Sequence, residues 1–109
     1  MAQDFESTFA HSIKSGSFTD LLASNSDDAV IGIRFANLHS GSVTVDAKIT
    51  RSSTDFHLIK EAPIPAGGSL ELIDGGSKVV MLSGDVLKAQ ASLTGSIDAI
   101  VSFIDTISE

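Results

Sequence analysis

The residues that most often carry chemistry are sparse and widely spaced in this sequence. The three histidines, His11, His39 and His57, are never two or four positions apart, so no pair is spaced to bind a metal from one strand or helix. The chain has no cysteine, which excludes thiolate ligands, cysteine nucleophiles and disulfides among these residues. We therefore predict surface histidines and no metal site.

Acidic and glycine-serine segments also lack the spacing of known sites. Asp27, Asp28 and Asp74 stand in predicted loops, where aspartate bonds its own backbone, and the spaced acidic loop of a calcium motif is missing. No G-x-S-x-G nucleophile motif occurs, and neither Gly-Gly-Ser segment is followed by the lysine-threonine pair and helix of a phosphate loop. We predict no catalytic residue and no cofactor, and hence a protein that is not an enzyme.

The charge and hydropathy of the chain exclude two classes of partner. The net charge is −7, with 14 acidic residues against 7 basic ones, so the basic surface that nucleic-acid binding needs is missing. No apolar run approaches the roughly 18 residues of a membrane span. The first residues lack the basic segment of a signal peptide. We expect synthesis in the cytoplasm and no nucleic-acid or membrane partner.

Two segments show the alternation of half-buried strands. In residues 42–50, Val43, Val45, Ala47 and Ile49 fall on one face, and polar side chains fall on the other. Residues 29–36 alternate in the same way, which predicts that Ala29, Ile31, Ile33 and Phe35 share one face. Gly32 lies inside this second strand and predicts a bulge or a close backbone approach.

The remaining pattern predicts an all-β domain of eight or nine short strands. Five Gly-Ser pairs each stand just before a predicted strand, where glycine supplies a tight turn. Residues 42–50 and 56–62 form a predicted hairpin with a loop of about five residues, after which Pro63 and Pro65 should end the ladder. We predict one antiparallel β-sandwich, either a jelly roll or immunoglobulin-like. The other predicted strands are residues 18–23, 70–73, 78–82, 86–92 and 97–104.

The first 14 residues are predicted to be a strand or arm that precedes a sandwich domain of residues 15–109. Phe5, Phe9 and Ile13 are four apart, as in a helix, but the serines and threonines between them lower helix propensity. Phe5 and Phe9 have little neighbouring sequence to bury against. We therefore expect this arm to pack on a neighbouring subunit.

Several segments resemble a family of small virion structural proteins of tailed bacteriophages, many of them phages of marine bacteria. The resemblance spans residues 28–105 and is most specific in A-P-I-P-A-G-G-S-L-E, residues 62–71, and S-G-D-V-L-K, residues 83–88. The sequence departs from the family in its N-terminal third and in T-D-F-H, residues 54–57, where relatives commonly carry a tyrosine. The resemblance implies a non-enzymatic β-sandwich in the virion, bound to other virion proteins and to copies of itself.

Two function hypotheses follow. In the first, the chain is a homo-oligomeric capsid-decoration, neck or tail subunit whose contacts involve Phe5, Phe9, Pro63, Ile64 and Pro65, since a rigid proline link loses little entropy at an interface. In the second, the chain is a β-sandwich that binds carbohydrate or a receptor. Because tryptophan and tyrosine are absent, a phenylalanine ring would have to stack on the sugar.

Overall fold

A computed structural model describes residues 4–11, 13–72 and 79–105, in which all regular secondary structure is β-strand. The all-β prediction is therefore confirmed. The nine strands are β1 (Asp4–Ala10), β2 (Thr19–Ala23), β3 (Asp28–Asn37), β4 (Val43–Arg51), β5 (Thr54–Ile64), β6 (Ser69–Glu71), β7 (Val79–Met81), β8 (Val86–Ala91) and β9 (Ile97–Asp105).

The strands form two antiparallel sheets with the strand order of a jelly roll. One sheet has five strands in the order β1-β9-β3-β6, with β7 also on β3, and the other has four in the order β2-β8-β4-β5. The chain is arranged as one long hairpin that folds back at the β4–β5 turn and is then rolled up. The paired strands of this hairpin are β1–β9, β2–β8, β3–β6/β7 and β4–β5. This order selects the jelly roll over the immunoglobulin-like arrangement that the sequence also allowed.

The core lies between the two sheets. The predicted inward face of β4, Val43, Val45, Ala47 and Ile49, is buried, and β8 contributes the same alternation. The largest buried side chains of the core include Phe35, Ile33, Leu87, Met81, Ile97 and Val101.

A bulge in β3 changes which side chains face this core. The register of β3 on β9 shifts between Val30 and Gly32, so the strand contains one extra residue, Ile31. As a result Val30 is buried at 1% exposure and Ile31 is only half-buried. The bulge expected at Gly32 is confirmed. The prediction that Ala29 and Ile31 share one face with Ile33 and Phe35 is wrong, because the extra residue puts both on the outer side of the sheet.

The β4–β5 hairpin is tighter and longer than predicted. Arg51 pairs with Thr54, which leaves a loop of two residues, Ser52 and Ser53, both with positive φ (52° and 65°). This is the mirror-image turn that matches the twist of a hairpin, so the prediction of a five-residue loop is wrong. Pro63 pairs with Thr44 and does not end the ladder, because β5 is an edge strand where a missing N–H is tolerated.

The N-terminal segment is a strand of the five-stranded sheet. β1 pairs with β9 from Asp4 to Ala10 without a register shift, which confirms the strand over the helix. Beyond it, Ile13 is fully buried, and its N–H donates to the carbonyl of Ile97 at 2.9 Å. The boundary proposed at residue 14 therefore falls just after a residue of the core.

Candidate assembly interface

The outer side of β1 carries two exposed aromatic rings. Phe5 and Phe9 are 77% and 71% exposed, and Ser7 lies between them on the same side. In the register with β9, Phe5 pairs with Ile104 and Phe9 with Ile100. Directly opposed residues share one side of a sheet, so the apolar surface continues from β1 onto β9.

The same surface continues across β3 to β7. Ile104 pairs with Ala29, and Ala29 pairs with Val80, which is 50% exposed. These pairs make a row of apolar side chains across four strands, from Phe5 on β1 to Val80 on β7.

Small residues leave a depression beside this row. Ser7 pairs with Ser102, and Ser102 pairs with Gly32. The bulged Ile31 lines the depression, which has a volume of about 400 Å³, together with Phe5, Glu6, Ser7 and Ser102. The apolar face is defined here as Phe5, Phe9, Ile31, Val80, Ile100 and Ile104.

An Arg–Glu ion pair and a His–Asp hydrogen bond border the apolar face on one side. Arg34 pairs with Ile100 in the ladder, and its Nε lies 3.4 Å from the Oε1 of Glu71. One row further, His11 Nδ1 lies 2.8 Å from the Oδ1 of Asp98. The arrangement is an apolar centre with a charged margin, as in many protein–protein contacts.

The outer side of the four-stranded sheet is polar by contrast. There the Lys48 Nζ lies 2.8 Å from the Oδ2 of Asp55 and 3.8 Å from the centroid of the Phe18 ring. Asp55 also accepts a 2.7 Å hydrogen bond from Thr50 Oγ1. The hydrogen bonds from Lys48 and Thr50 lower the pKa of Asp55. The two outer sides of the sandwich therefore differ in chemistry.

Exposed apolar side chains are grouped on the apolar face. Single exposed apolar residues are normal on a soluble protein, but contiguous patches mark interaction surfaces. Four of the described large apolar residues that are exposed lie together on this face: Phe5, Phe9, Val80 and Ile100. The others are dispersed over loops and β5: Leu38, Phe56, Leu82 and Leu93.

The structure separates the predicted contact residues into two groups. Phe5 and Phe9 lie on the apolar face, whereas Pro63 and Pro65 are exposed at the β5 edge of the other sheet. Ile64 is fully buried in the core, so its side chain is not on the surface of the subunit. The contact role of these residues stays a prediction.

Sequence reasoning missed the part of the apolar face that lies on β3, β7 and β9. The available signal was in Ala99, Ile100 and Val101, because three successive apolar residues in a strand place one of them outward. Ile31 could not be found in this way, since its outward position depends on the bulge.

The histidines and aspartates form no metal site in the described part of the chain. No group of three or more His, Cys, Asp or Glu is arranged to hold a metal ion there. His11, His39 and His57 are all exposed. Asp28, predicted in a loop, is instead the first residue of β3; it is buried and accepts hydrogen bonds from Ser24 Oγ at 2.8 Å and Ser26 Oγ at 2.9 Å.

Asp74 and the turn predicted around it lie outside the described residues. In residues 4–11, 13–72 and 79–105, no helix is long and apolar enough to cross a membrane.

Comparisons with known proteins show a likeness at the level of fold. No protein-family model and no curated protein matches this sequence. A chain from the solved structure of Bacillus endospore appendages, described as a novel family of disulfide-linked pili, superposes with a TM-score of 0.54. The two chains are 14% identical, and the match covers 98% of this chain and 88% of that one. At this identity the likeness shows a shared fold.

Proposed function

We propose that this chain is a non-enzymatic structural subunit that assembles with copies of itself through the apolar face. The observation that carries the proposal is the pair of rings on β1, Phe5 and Phe9, which remain 77% and 71% exposed in the folded subunit. Burying apolar surface is worth about 25 cal/mol per Å². A partner that covers the apolar face therefore gains energy that the subunit cannot gain by folding alone.

The assembly we propose is the virion of a tailed bacteriophage, as a capsid-decoration, neck or tail subunit. Support comes from the resemblance of residues 28–105 to small virion proteins, and from the jelly-roll order, which viral capsid domains also use. The proposed partners are other virion proteins and further copies of this chain, with no nucleic acid and no membrane.

The protein of similar fold is itself part of an assembly, which supports self-assembly of this chain. That protein belongs to pili described as disulfide-linked, whereas these 109 residues contain no cysteine. Assembly of this chain would therefore depend on non-covalent contacts, and a reducing agent should leave it unchanged.

The proposal is tested by measuring native mass over a concentration series, with light scattering behind a sizing column. The wild-type chain should form a discrete oligomer, and the double substitution Phe5→Ser, Phe9→Ser should shift it to the 11.3 kDa monomer. Phe56→Ser is the matched control, because Phe56 is also exposed (56%) but lies on β5 of the other sheet. A monomer at every concentration, or an equal effect of all substitutions, would contradict self-assembly through this face.

The virion assignment needs a separate experiment. Particles purified from a host culture that produces this chain should contain it at a fixed copy number, detected by quantitative mass spectrometry and by gold-labelled antibodies. Its absence from purified particles would refute the virion assignment and leave the self-association result intact.

Phe56 supports a second candidate function, binding of carbohydrate. Its exposed ring lies with Ile49 and Arg51 around a depression of about 200 Å³, and a sugar ring could stack there. A glycan array should then give reproducible binding that Phe56→Ala removes and that Phe5→Ala retains. An array without reproducible binding would exclude this candidate.

A further inference from the structure

We propose that β1 pairs antiparallel with β1 of a second copy, about a two-fold axis at Ser7, so that two five-stranded sheets become one continuous sheet. This inference rests on the proposed self-assembly and deepens it by naming the strand, the register and the partner. The partner is a second copy of the same chain.

β1 is a regular sheet edge without a bulge or a proline. Among the described strands, only β9 pairs with β1, so the other side of its backbone can accept a further strand. β1 is seven residues long, contains neither proline nor glycine, and keeps an uninterrupted register. Proteins usually protect edges of this kind with bulges, prolines or short strands, because an open edge recruits another strand.

The other sheet edges carry such protection. β5 is long, but it contains Pro63, a positive φ at Glu61 (53°) and two register shifts against β4. β2 has a register shift at Leu21, and β6 and β7 are three residues long each. β1 is therefore the edge best suited to pair with another chain.

The register of such a pair also favours this arrangement. An antiparallel pair centred on Ser7 places Phe5 opposite Phe9 of the second copy, and Phe9 opposite its Phe5. Both aromatic pairs lie on the same side, and cross-strand aromatic pairs stabilise sheets. Glu6 then opposes Thr8, whereas a parallel in-register pair would place Glu6 opposite Glu6, which is unfavourable because like charges repel.

This pairing also makes the apolar surface continuous from one copy to the other. A two-fold axis perpendicular to the sheet keeps the outer sides of both copies on the same side. The four rings, two from each copy, then form one cluster at the centre of the joined sheet, and the apolar faces of the two copies become contiguous. The most exposed residues of the apolar face, Phe5 and Phe9, are those that this pairing brings into contact at the seam.

Single-cysteine variants give a direct test because the chain has no cysteine of its own. Opposed residues in an antiparallel pair have Cα atoms about 4.5–5.5 Å apart, within the range that a disulfide spans. Ser7→Cys should therefore form a covalent dimer under mild oxidation, seen on a non-reducing gel. Ser102→Cys is the matched control, because it lies on the same outer side one strand further in, about 14 Å from its counterpart at strand spacings of about 4.8 Å.

Ser7→Glu tests the same contact without cross-linking. It places two like charges opposite each other at the two-fold axis, while the exposed position tolerates a charge in the single subunit. We expect the dissociation constant of the dimer to rise at least tenfold. Ser69→Glu, at an exposed position on β6, should leave the dissociation constant unchanged, and thermal melts of both variants would verify that the subunit is folded.

The outcomes separate this inference from the proposed function. An oligomer that Ser7→Cys does not cross-link and Ser7→Glu does not dissociate would overturn β1–β1 pairing and leave self-assembly standing. Equal cross-linking of the Ser7→Cys and Ser102→Cys variants would show random collision and also overturn the pairing. A wild-type chain that remains a monomer at every concentration would overturn both.

Discussion

At the scale of single residues, Asp85 is a buried carboxylate that three N–H donors satisfy. Its carboxylate accepts hydrogen bonds from Arg51 Nε at 3.0 Å, from Arg51 Nη2 at 2.6 Å and from the Leu82 N–H at 2.9 Å. The hydrogen bonds from Arg51 lower the pKa of Asp85. This contact joins the β4–β5 hairpin to the turn before β8 and therefore fixes one end of the sandwich.

Removal of this charge should destabilise the subunit. In Asp85→Asn, Arg51 faces a neutral amide with one acceptor oxygen in place of a carboxylate with two. We expect a loss of about 2 kcal/mol in the free energy of unfolding. Urea denaturation at pH 7 measures the change. Asp98→Asn is the control, because Asp98 pairs with the exposed His11 in a surface contact worth about 0–1 kcal/mol. Equal losses in the two variants would contradict the role given to Asp85.

The lowered pKa values of Asp85 and Asp55 also predict a dependence on pH. A carboxyl whose pKa is lower in the folded state than in the unfolded chain stabilises the fold fully above the unfolded value, near 3.8. This stabilisation is lost as the pH falls through the lower, folded value. The free energy of unfolding should therefore be flat near neutral pH and fall below about pH 5. In Asp85→Asn the free energy of unfolding should fall less steeply at acid pH, and an unchanged pH dependence would contradict the assignment.

At the scale of elements, the β4–β5 turn stores backbone strain at two residues. Ser52 and Ser53 both have positive φ, a conformation that asparagine and glycine adopt at lower cost. β4 and β5 pair up to Arg51 and Thr54, so the register of the two strands holds the serines in this conformation.

The double substitution Ser52→Asn, Ser53→Gly should relieve this strain. Asn-Gly is the preferred pair for this turn, and we expect a gain of about 1 kcal/mol, or a rise of about 4–8 °C in Tm for a domain of this size. A thermal melt followed by circular dichroism measures the shift. The same change in reverse order, Ser52→Gly with Ser53→Asn, should give a smaller rise, and a fall in Tm for the Asn-Gly variant would contradict the turn type.

At the scale of the whole molecule, the two outer sides of the sandwich divide the surface into an apolar half and a polar half. The subunit also carries a net charge of −7. Like charge opposes association of copies, whereas burial of the apolar face favours it. The balance between these two effects would make the proposed assembly sensitive to ionic strength.

Salt should therefore strengthen self-association. Screening shortens the Debye length from about 30 Å at 0.01 M to about 3 Å at 1 M, which weakens repulsion between copies and leaves apolar burial in place. Sedimentation velocity at several sodium chloride concentrations would show a rising association constant. A fall with salt would instead indicate an interface that depends on opposite charges.

The sequence by itself determined most of the strands and the class of fold. Alternation in Val43, Val45, Ala47 and Ile49 is a local property, since side chains in a strand point to opposite sides whatever their partner. Phe5 and Phe9 have few apolar neighbours in the sequence, and both rings are exposed in the folded subunit.

Tertiary structure alone decided the jelly-roll order, the residue of β3 that the bulge turns outward, and the extent of the apolar face. Pairing between β1 and β9, or between β3 and β7, joins residues far apart in the chain, and no local pattern encodes it. Ile31 faces outward because β9 pairs around it, and Ile64 is in the core because β5 continues past Pro63. A strand's own residues specify its two sides, but only the neighbouring strands decide which side meets water.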